Sequence, residues 1–195
     1  YQPEGAFNFA GAINIGRSQA HGEFLFLLND DVTAHQPDPI LPLIEIAQRD
    51  GVGAVGAKLT YPNGRLQHAG IVMLPSGPTH VHIAEPGSFP GYFGSTLTPR
   101  NYLAITAAAM LTSAEAFDAV DGFDTAFARD FNDVDYCLRL QEAGYRVAWT
   151  PYAHLIHHEG ASIVRKAADG AELAEFQRRW ANRYALDPYY SPALN

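Results

Sequence analysis

Short apolar runs alternate along the chain with stretches whose apolar residues recur at helical spacing. This alternation favours an α/β sheet with helices packed against it. The run from Phe24 to Leu28 has no polar face, so we expect a strand covered on both sides, as in a parallel sheet. Val52 to Lys58, Gly70 to Leu74 and Tyr145 to Pro151 are further predicted strands.

Capping residues and helical spacing predict five helices. They are expected over Asn8 to Ala20, about Pro39 to Arg49 after an Asp38 cap, Thr112 to Val120 with a capping box, Asn132 to Gly144, and a last segment where Leu173, Phe176, Trp180 and Tyr184 recur. Five prolines and four glycines lie between Pro75 and Pro99. The stretch 75–100 is therefore predicted to be a long loop that closes over a site or contacts a ligand there, or else is disordered.

Composition narrows the class of protein. The chain has 195 residues, 47% of them hydrophobic, which is compatible with one domain. A net charge of −8 argues against nucleic acid as a partner, because that binding needs clustered Lys and Arg. No apolar run approaches the roughly 20 residues of a membrane span. The single cysteine, Cys137, cannot form an intramolecular disulfide, and the cytoplasm is the expected compartment.

Polar residues follow the first predicted strand directly, as Asn29-Asp30-Asp31. Ligands of open α/β sheets bind just beyond the carboxyl ends of strands, and Mg²⁺ and Mn²⁺ prefer oxygen ligands of this kind. Such a cation would also let an acidic protein bind a phosphate ester. Taken alone, these residues are better explained by an ordinary acidic turn.

Two further polar clusters carry candidate chemistry. Asp133 and Asp135 lie at the predicted start of a helix, where the helix dipole stabilises negative charge, although a purely structural role explains them equally well. His157 and His158 point to opposite sides of an extended segment, so at most one is expected to face a given metal ion. The chain has neither a nucleophile elbow nor a glycine-rich phosphate loop.

These motifs, in this order, resemble the middle and end of family-two bacterial glycosyltransferases, notably rhamnosyltransferase-like members. The resemblance begins with residues 7–16 and the strand into Asn29-Asp30-Asp31, and continues through Gly122-Phe123-Asp124. Asn132-Asp133-Val134-Asp135-Tyr136-Cys137-Leu138-Arg139 resembles the family's Glu-Asp-x-Asp-x-x-Leu-Arg motif, and Pro151 to His158 completes the pattern. It covers about Asn8 to Ser162.

The resemblance implies a fold, a reaction and a set of residue roles. The fold would be GT-A, a Rossmann-like, mostly parallel sheet flanked by helices. The reaction would be transfer, with inversion, of a sugar from a nucleotide-diphosphate sugar to a glycan or lipid-linked acceptor in bacterial cell-wall or polysaccharide synthesis, at the inner face of the membrane or in the cytoplasm. The implied residues are Asp133 as general base; Asp31, His157 and Asn29 for Mg²⁺ or Mn²⁺, with His158 in reserve; Asp30 and Asn14 for the donor; and Asp135, Thr106 and Ala107 for the acceptor.

The chain also departs from the family's pattern. Asn29 and Asn132 stand where the family has acids, and the family's upstream nucleotide-binding segment has no counterpart before Asn8. We therefore expect the chain to be the C-terminal two-thirds of a GT-A domain, which by itself could be inactive. Two alternatives stay open: a non-catalytic module with the same fold, and a metal-dependent phosphohydrolase.

Overall fold

A computed structural model describes residues 6–158, 169–183 and 187–191. Within them, the helices are α1 (Phe9–Gln19), α2 (Leu41–Ala47), α3 (Ala114–Ala119), α4 (Asn132–Glu142) and α5 (Gly170–Trp180). The strands are β1 (Phe24–Leu28), β2 (Val32–Ala34), β3 (Val52–Thr60), β4 (Leu66–His68), β5 (Ile71–Leu74), β6 (Gly77–His80), β7 (Arg100–Asn101), β8 (Ala109–Ser113) and β9 (Arg146–His157).

One sheet organises the chain, in the strand order β1-β8-β3-β9-β2, with β4 added to β3 and β7 to β9. Its two faces are covered by two apolar clusters. The larger cluster includes buried residues of α1, α3, α4 and α5, whereas the smaller one is built from α2 and the opposite face of β3, β8 and β9. The predicted α/β fold, a central sheet between layers of helices, is confirmed.

The expectation of a mostly parallel sheet is wrong. Only β3 and β9 run parallel, and every other described pair in this sheet is antiparallel, including β1 with β8. The strand β1 is nevertheless covered on both sides, because Leu25 and Leu27 enter the larger cluster while Phe24 and Phe26 pack on the smaller one. Two-sided burial follows from helices on both faces, whatever the strand direction.

The strand β9 is longer than predicted, because it continues through Pro151 to His157. Its register with β3 shifts between Ala57 and Lys58, opposite Thr150 and His154. This bulge accommodates the proline, which has no N–H for the ladder. The histidine segment is therefore part of the sheet, and its position is fixed.

Helix ends follow the side chains that cap them. Asn8 accepts the N–H of Gly11 at 2.8 Å and begins α1 as predicted. The cap of α3 is Ser113 instead of the predicted Thr112, whose hydroxyl bonds to the Gly53 carbonyl and to Tyr136 inside the sheet. The helix α2 is shorter than predicted, although Asp38 does bind the N–H groups at its start.

Two other segments differ from the prediction in part. The stretch 75–100 is not a loop throughout, because β6 pairs with β5 in a hairpin before an irregular segment begins. In α5, Phe176 and Trp180 are buried as expected, whereas Leu173 is 37% exposed. Tyr184 lies outside the described residues. Among the helices described, none has the length and apolarity that crossing a membrane requires.

The turn after α3 needs glycine. Gly122 has φ +65°, and a Cβ there would lie 2.5 Å from both Asn14 Oδ1 and Phe117 Cε1. We predict that Gly122→Ala lowers the free energy of unfolding by roughly 2 kcal/mol or more, since strain and steric overlap add. Gly64→Ala is the control, because Gly64 has φ +79° but open space around it, and strain alone costs about 1 kcal/mol. Urea denaturation measures both; equal losses would contradict the steric argument.

Candidate active site

The segment Asn29-Asp30-Asp31 forms a tight turn between β1 and β2. The Val32 N–H donates to the Asn29 carbonyl at 3.3 Å, and the Asn29 N–H donates to the Ala108 carbonyl at 3.0 Å. These bonds fix the turn at the end of β1, against the residues that precede β8. The Asp30 side chain faces solvent, whereas that of Asp31 is only 26% exposed.

Pairing of β2 with β9 places His157 beside this turn, because Val32 lies opposite His157 in the ladder. The Nε2 atom of His157 is 2.9 Å from Asp31 Oδ1, and the Asn29 amide nitrogen is 3.5 Å from the same ring nitrogen. The other ring nitrogen, Nδ1, is 2.7 Å from Gln67 Oε1. Since that oxygen only accepts, Nδ1 carries a hydrogen, and in the tautomer with its single hydrogen there the Nε2 lone pair points towards Asp31.

This arrangement fits a bound cation. Asp31 Oδ1 is buried, and the described side-chain atom that it faces is His157 Nε2 at 2.9 Å. In the tautomer that carries its hydrogen on Nδ1, a carboxylate oxygen and an imidazole lone pair face each other there. Carboxylate oxygen and imidazole nitrogen are suitable ligands for Mn²⁺, and the carboxylate suits Mg²⁺. No group of three or more His, Cys, Asp or Glu side chains that could hold a metal ion occurs in residues 6–158, 169–183 and 187–191. Further ligands would have to come from the substrate or water.

His158, the reserve candidate, faces away from this pair. Its Nε2 atom is 3.0 Å from the Thr33 hydroxyl, and its backbone N–H donates to the Asp31 carbonyl. Alternation along β9 separates the two rings, as the sequence indicates. His157 is therefore the histidine that lies with Asp31.

Asp133 and the Asn29 turn contact neighbouring residues of the same short segment, Ala107 and Ala108 respectively. Asp133 Oδ2 accepts the Ala107 N–H at 3.2 Å, and Asp133 Oδ1 accepts the Val134 N–H at 2.8 Å. The neighbouring Ala108 carbonyl holds Asn29. The proposed base and the proposed metal ligands thus flank the same segment, and the half-buried Asp133 carboxylate keeps free lone pairs.

The start of α4, which carries Asp133, is held from outside the helix. Phe131 precedes the helix with φ 62°, an unfavourable conformation for a residue with a side chain, and its ring stacks on Phe176 of α5. Glu172 of α5 accepts the N–H groups of Arg129 and Asp130. Asn132, predicted as the cap, is instead the first helical residue. Packing against α5 thus fixes the position of Asp133, the proposed base.

Two predicted ligand contacts are corrected by the geometry. Asp135 is fully buried, and its carboxylate binds Arg139 at 2.8 Å and Trp180 at 3.0 Å, so it has no surface to offer an acceptor. Asn14, predicted at the donor, uses its amide to bind the Phe123 backbone, accepting at 2.9 Å and donating at 2.7 Å. Asn14 thus connects α1 to the backbone of Phe123, and Asp135 connects α4 to Trp180 of α5.

Two residues that sequence reasoning missed contact the candidate site, one at His157 and the other at Thr106. Gln67 orients His157, and its neighbour His68 accepts the Thr106 N–H at 3.4 Å. Burial, and to a lesser degree His80, lowers the pKa of His68 well below its ordinary value, so that ring stays neutral. Both residues lie in β4, a strand of three residues that gives no recognisable pattern. The predicted acceptor residues Thr106 and Ala107 lie between His68 and Asp133.

Comparison with known proteins supplies relatives of the sequence. No family model matches the chain. It is 41% identical over 196 residues to the uncharacterized protein y4gI of Sinorhizobium fredii and 37% identical over 206 residues to the O-antigen biosynthesis protein RfbC of Myxococcus xanthus, each over 96% of the chain. Over 30% of the chain it is 39% identical to the rhamnosyltransferase WbbL of Escherichia coli. The chain spans 22%, 15% and 23% of these relatives.

Solved structures decide the fold. GalNAc-T7 with UDP, GalNAc and Mn²⁺ superposes on 95% of the chain with a TM-score of 0.69 at 13% identity, and the chain covers 38% of it. The chain has the GT-A fold. The mannosyltransferase PcManGT of Pyrobaculum calidifontis, solved with GDP-Man and Mn²⁺, gives a TM-score of 0.53 at 15% identity, over 91% of the chain and 41% of that protein. The resemblance to rhamnosyltransferase-like GT-A proteins is thereby confirmed.

The orienting bond from Gln67 yields a prediction for this GT-A site. Gln67→Leu frees the His157 ring, and losing such an outer contact typically costs about 10- to 100-fold in metal affinity. We expect a loss of this size when Mn²⁺ is titrated, with a nucleoside diphosphate present, into the full-length protein that contains this domain. Gln19→Leu on the exposed end of α1 is the control and should bind as the parent does. Unchanged affinity in Gln67→Leu would contradict the role of the bond.

A second prediction concerns pH. Burial above all, then the neighbouring His35 and Lys58, lowers the pKa of His154 from 6.5 to about 4. The unfolded chain therefore takes up this proton more readily, so the contribution to stability is complete above 6.5 and is lost as pH falls towards 4. Urea unfolding at about pH 7 and about pH 5 should show a smaller loss in His154→Gln than in the parent. An identical loss in both would contradict the assignment.

Proposed function

We propose that this domain is the catalytic part of a glycosyltransferase that moves a sugar from a nucleotide-diphosphate sugar to an acceptor hydroxyl with inversion. The arrangement that carries the proposal is Asp31 Oδ1 facing His157 Nε2 at 2.9 Å, with Asp133 on the other side of residues 106–108. The proposed metal ligands and the proposed base thus lie on either side of residues 106–108. RfbC and WbbL are named for O-antigen biosynthesis and rhamnosyl transfer, which supports the class of reaction.

Asp133 is the proposed general base. One carboxylate oxygen accepts the proton of the acceptor hydroxyl as that oxygen forms a bond to the anomeric carbon. The bond from the anomeric carbon to the diphosphate breaks at the same time, with the electron pair leaving on the diphosphate. A single displacement of this kind inverts the anomeric centre. Hydrogen bonds from Ala107 and Val134 hold the carboxylate in place for the proton transfer.

Asp31 and His157 are the proposed metal ligands, with Asn29 beside them. When bound, Mg²⁺ or Mn²⁺ would offset the negative charge that develops on the departing diphosphate. The two residues suit this role because their facing atoms are electron-rich and Gln67 fixes the imidazole. GalNAc-T7 and PcManGT were both solved with Mn²⁺, which supports a divalent ion.

The remaining roles follow from position. Asp30 is exposed at the tip of the turn and is available to hydroxyl groups of the donor's sugar or ribose. Thr106 and Ala107 lie between His68 and Asp133, where an acceptor hydroxyl must come to reach the base. We therefore assign the donor to the side of Asn29-Asp30-Asp31 and the acceptor to the side of residues 106–107, with a glycan or lipid-linked acceptor as the expected class.

Replacing the base tests this function directly. Asp133→Asn keeps the size of the side chain but cannot accept the proton, so we predict a fall in kcat of about 10²- to 10⁴-fold. Affinity for the nucleoside diphosphate with Mn²⁺ should change little, because Asp133 lies on the acceptor side. Asp118→Asn is the matched control: it removes the same charge from an exposed pair with Arg17 and should leave kcat unchanged.

The measurement is transfer of radiolabelled sugar by the full-length protein, with a bacterial polysaccharide precursor as acceptor. Full activity in Asp133→Asn would refute the proposed base. Consumption of nucleotide sugar at the same rate with and without acceptor would indicate hydrolysis, and so the phosphohydrolase alternative. Absence of both nucleotide binding and turnover in the full-length protein would favour a non-catalytic module.

A further inference from the structure

A cavity of about 410 Å³ lies apart from the residues assigned above. It is open to solvent on one side and is lined by the segment between β6 and β7, by residues 100–102 and by the described residues near the C-terminus. Its wall is strongly aromatic, with Phe89, Tyr92, Tyr102, Tyr189 and Tyr190. None of the proposed metal ligands, nor Asp133, lines it.

The wall of this cavity is braced by side chains. Gly91 has φ +66°, and a Cβ there would lie 2.1 Å from Ser95 Oγ, so the turn requires glycine. Ser95 Oγ is hydrogen-bonded to His82 Nε2 at 3.2 Å, and the Thr96 hydroxyl donates to the Phe89 carbonyl. This segment, which the sequence predicts only as loop, therefore has a defined shape.

The opposite wall is also held in place. Asp187 accepts the Met73 N–H at 2.9 Å and the Tyr189 N–H at 2.8 Å. These bonds attach residues 187–191 to the β5–β6 hairpin and present Tyr189 and Tyr190 to the cavity. Two segments far apart in the chain thus converge on one aromatic pocket.

Arg100 supplies the positive charge of the cavity. Its guanidinium carbon lies 5.2 Å from the centre of the Tyr102 ring. It forms no ion pair in the portion of the chain that the structure describes. Burial above all lowers the pKa of His82; the charge of Glu85 opposes this shift and that of Arg100 adds to it, so the ring is neutral at pH 7. The chain has a net charge of −8. A guanidinium that forms no ion pair among the described residues and lies on an aromatic wall is therefore suited to bind an anionic ligand.

The cavity is connected to the proposed acceptor side by a continuous segment. Tyr102 lines the cavity, and Ala107, five residues later, donates to Asp133. Five residues of extended backbone span at most about 17 Å. This upper limit keeps the cavity within reach of an oligosaccharide whose reacting hydroxyl lies at residues 106–107.

We propose that the cavity binds a non-reacting pyranose ring of the saccharide acceptor, with a carboxylate or phosphate of that ring on Arg100. The proposal rests on the glycosyltransferase function proposed above, and it names the acceptor class as an anionic oligosaccharide. Tyrosine rings offer apolar faces for the C–H groups of a sugar, and the guanidinium forms paired hydrogen bonds with an oxyanion.

The test is titration of the full-length protein, followed by NMR or calorimetry, with three probes: methyl glucuronide, glucose 6-phosphate and neutral methyl glucoside. We expect at least one anionic probe to bind about tenfold or more tightly than methyl glucoside. Arg100→Gln should abolish that preference. Arg49→Gln should keep it, because Arg49 is exposed just after α2 and does not line the cavity. Tyr92→Ala should weaken all binding, because it removes an exposed wall of the pocket.

The anionic probe that binds better identifies the substituent as carboxylate or phosphate. Equal binding of charged and neutral probes, no binding of any probe, or a preference that survives Arg100→Gln would each overturn the proposal. Binding of Mn²⁺ with a nucleoside diphosphate is measured on the same protein. If that binding fails while the saccharide preference persists, the glycosyltransferase function is wrong and the cavity remains an anionic-sugar site.

Discussion

The closeness of Asp31 and His157 depends on one strand pairing. The two residues are 126 positions apart in sequence, and they meet because β2 pairs with the end of β9, with Val32 opposite His157. The strand β9 is in turn fixed by its long parallel pairing with β3, including the bulge that accommodates Pro151. A buried carboxylate oxygen is costly unless a hydrogen-bond donor or a cation approaches it. The sheet thus maintains the arrangement on which the proposed metal site depends.

The polar residues of the motifs divide into two groups that a sequence alone does not separate. Asp133 and Asp135 are two positions apart on α4, yet the first is half-buried with free lone pairs and the second is fully buried between Arg139, Arg179 and Trp180. On a helix, residues two apart point to different sides. Burying Asp135 with its partners fixes α4 against α5, and this packing positions Asp133 at the proposed active site.

The sequence predicted most of the elements. The capping by Asn8, the strand Phe24–Leu28, the buried face of α4 and the opposite orientation of His157 and His158 all follow from local spacing, whereas the choice of His157 came from the family resemblance. Strand direction did not follow, because helices on both faces bury parallel and antiparallel strands alike. Gln67, His68 and Arg100 were not found, since their roles arise from contacts between distant segments. The GT-A fold itself came from a resemblance spread over several motifs.

The central claim is that Asp31 and His157 bind a divalent ion together with the donor. Its most direct test is the crystal structure of the full-length protein with Mn²⁺ and a nucleoside diphosphate, using the anomalous signal of manganese to locate the ion. We predict a manganese peak about 2.0 to 2.3 Å from Asp31 Oδ1 and His157 Nε2, beside the bound diphosphate. A nucleotide bound with manganese at other residues, or bound at this turn without any manganese, would contradict it.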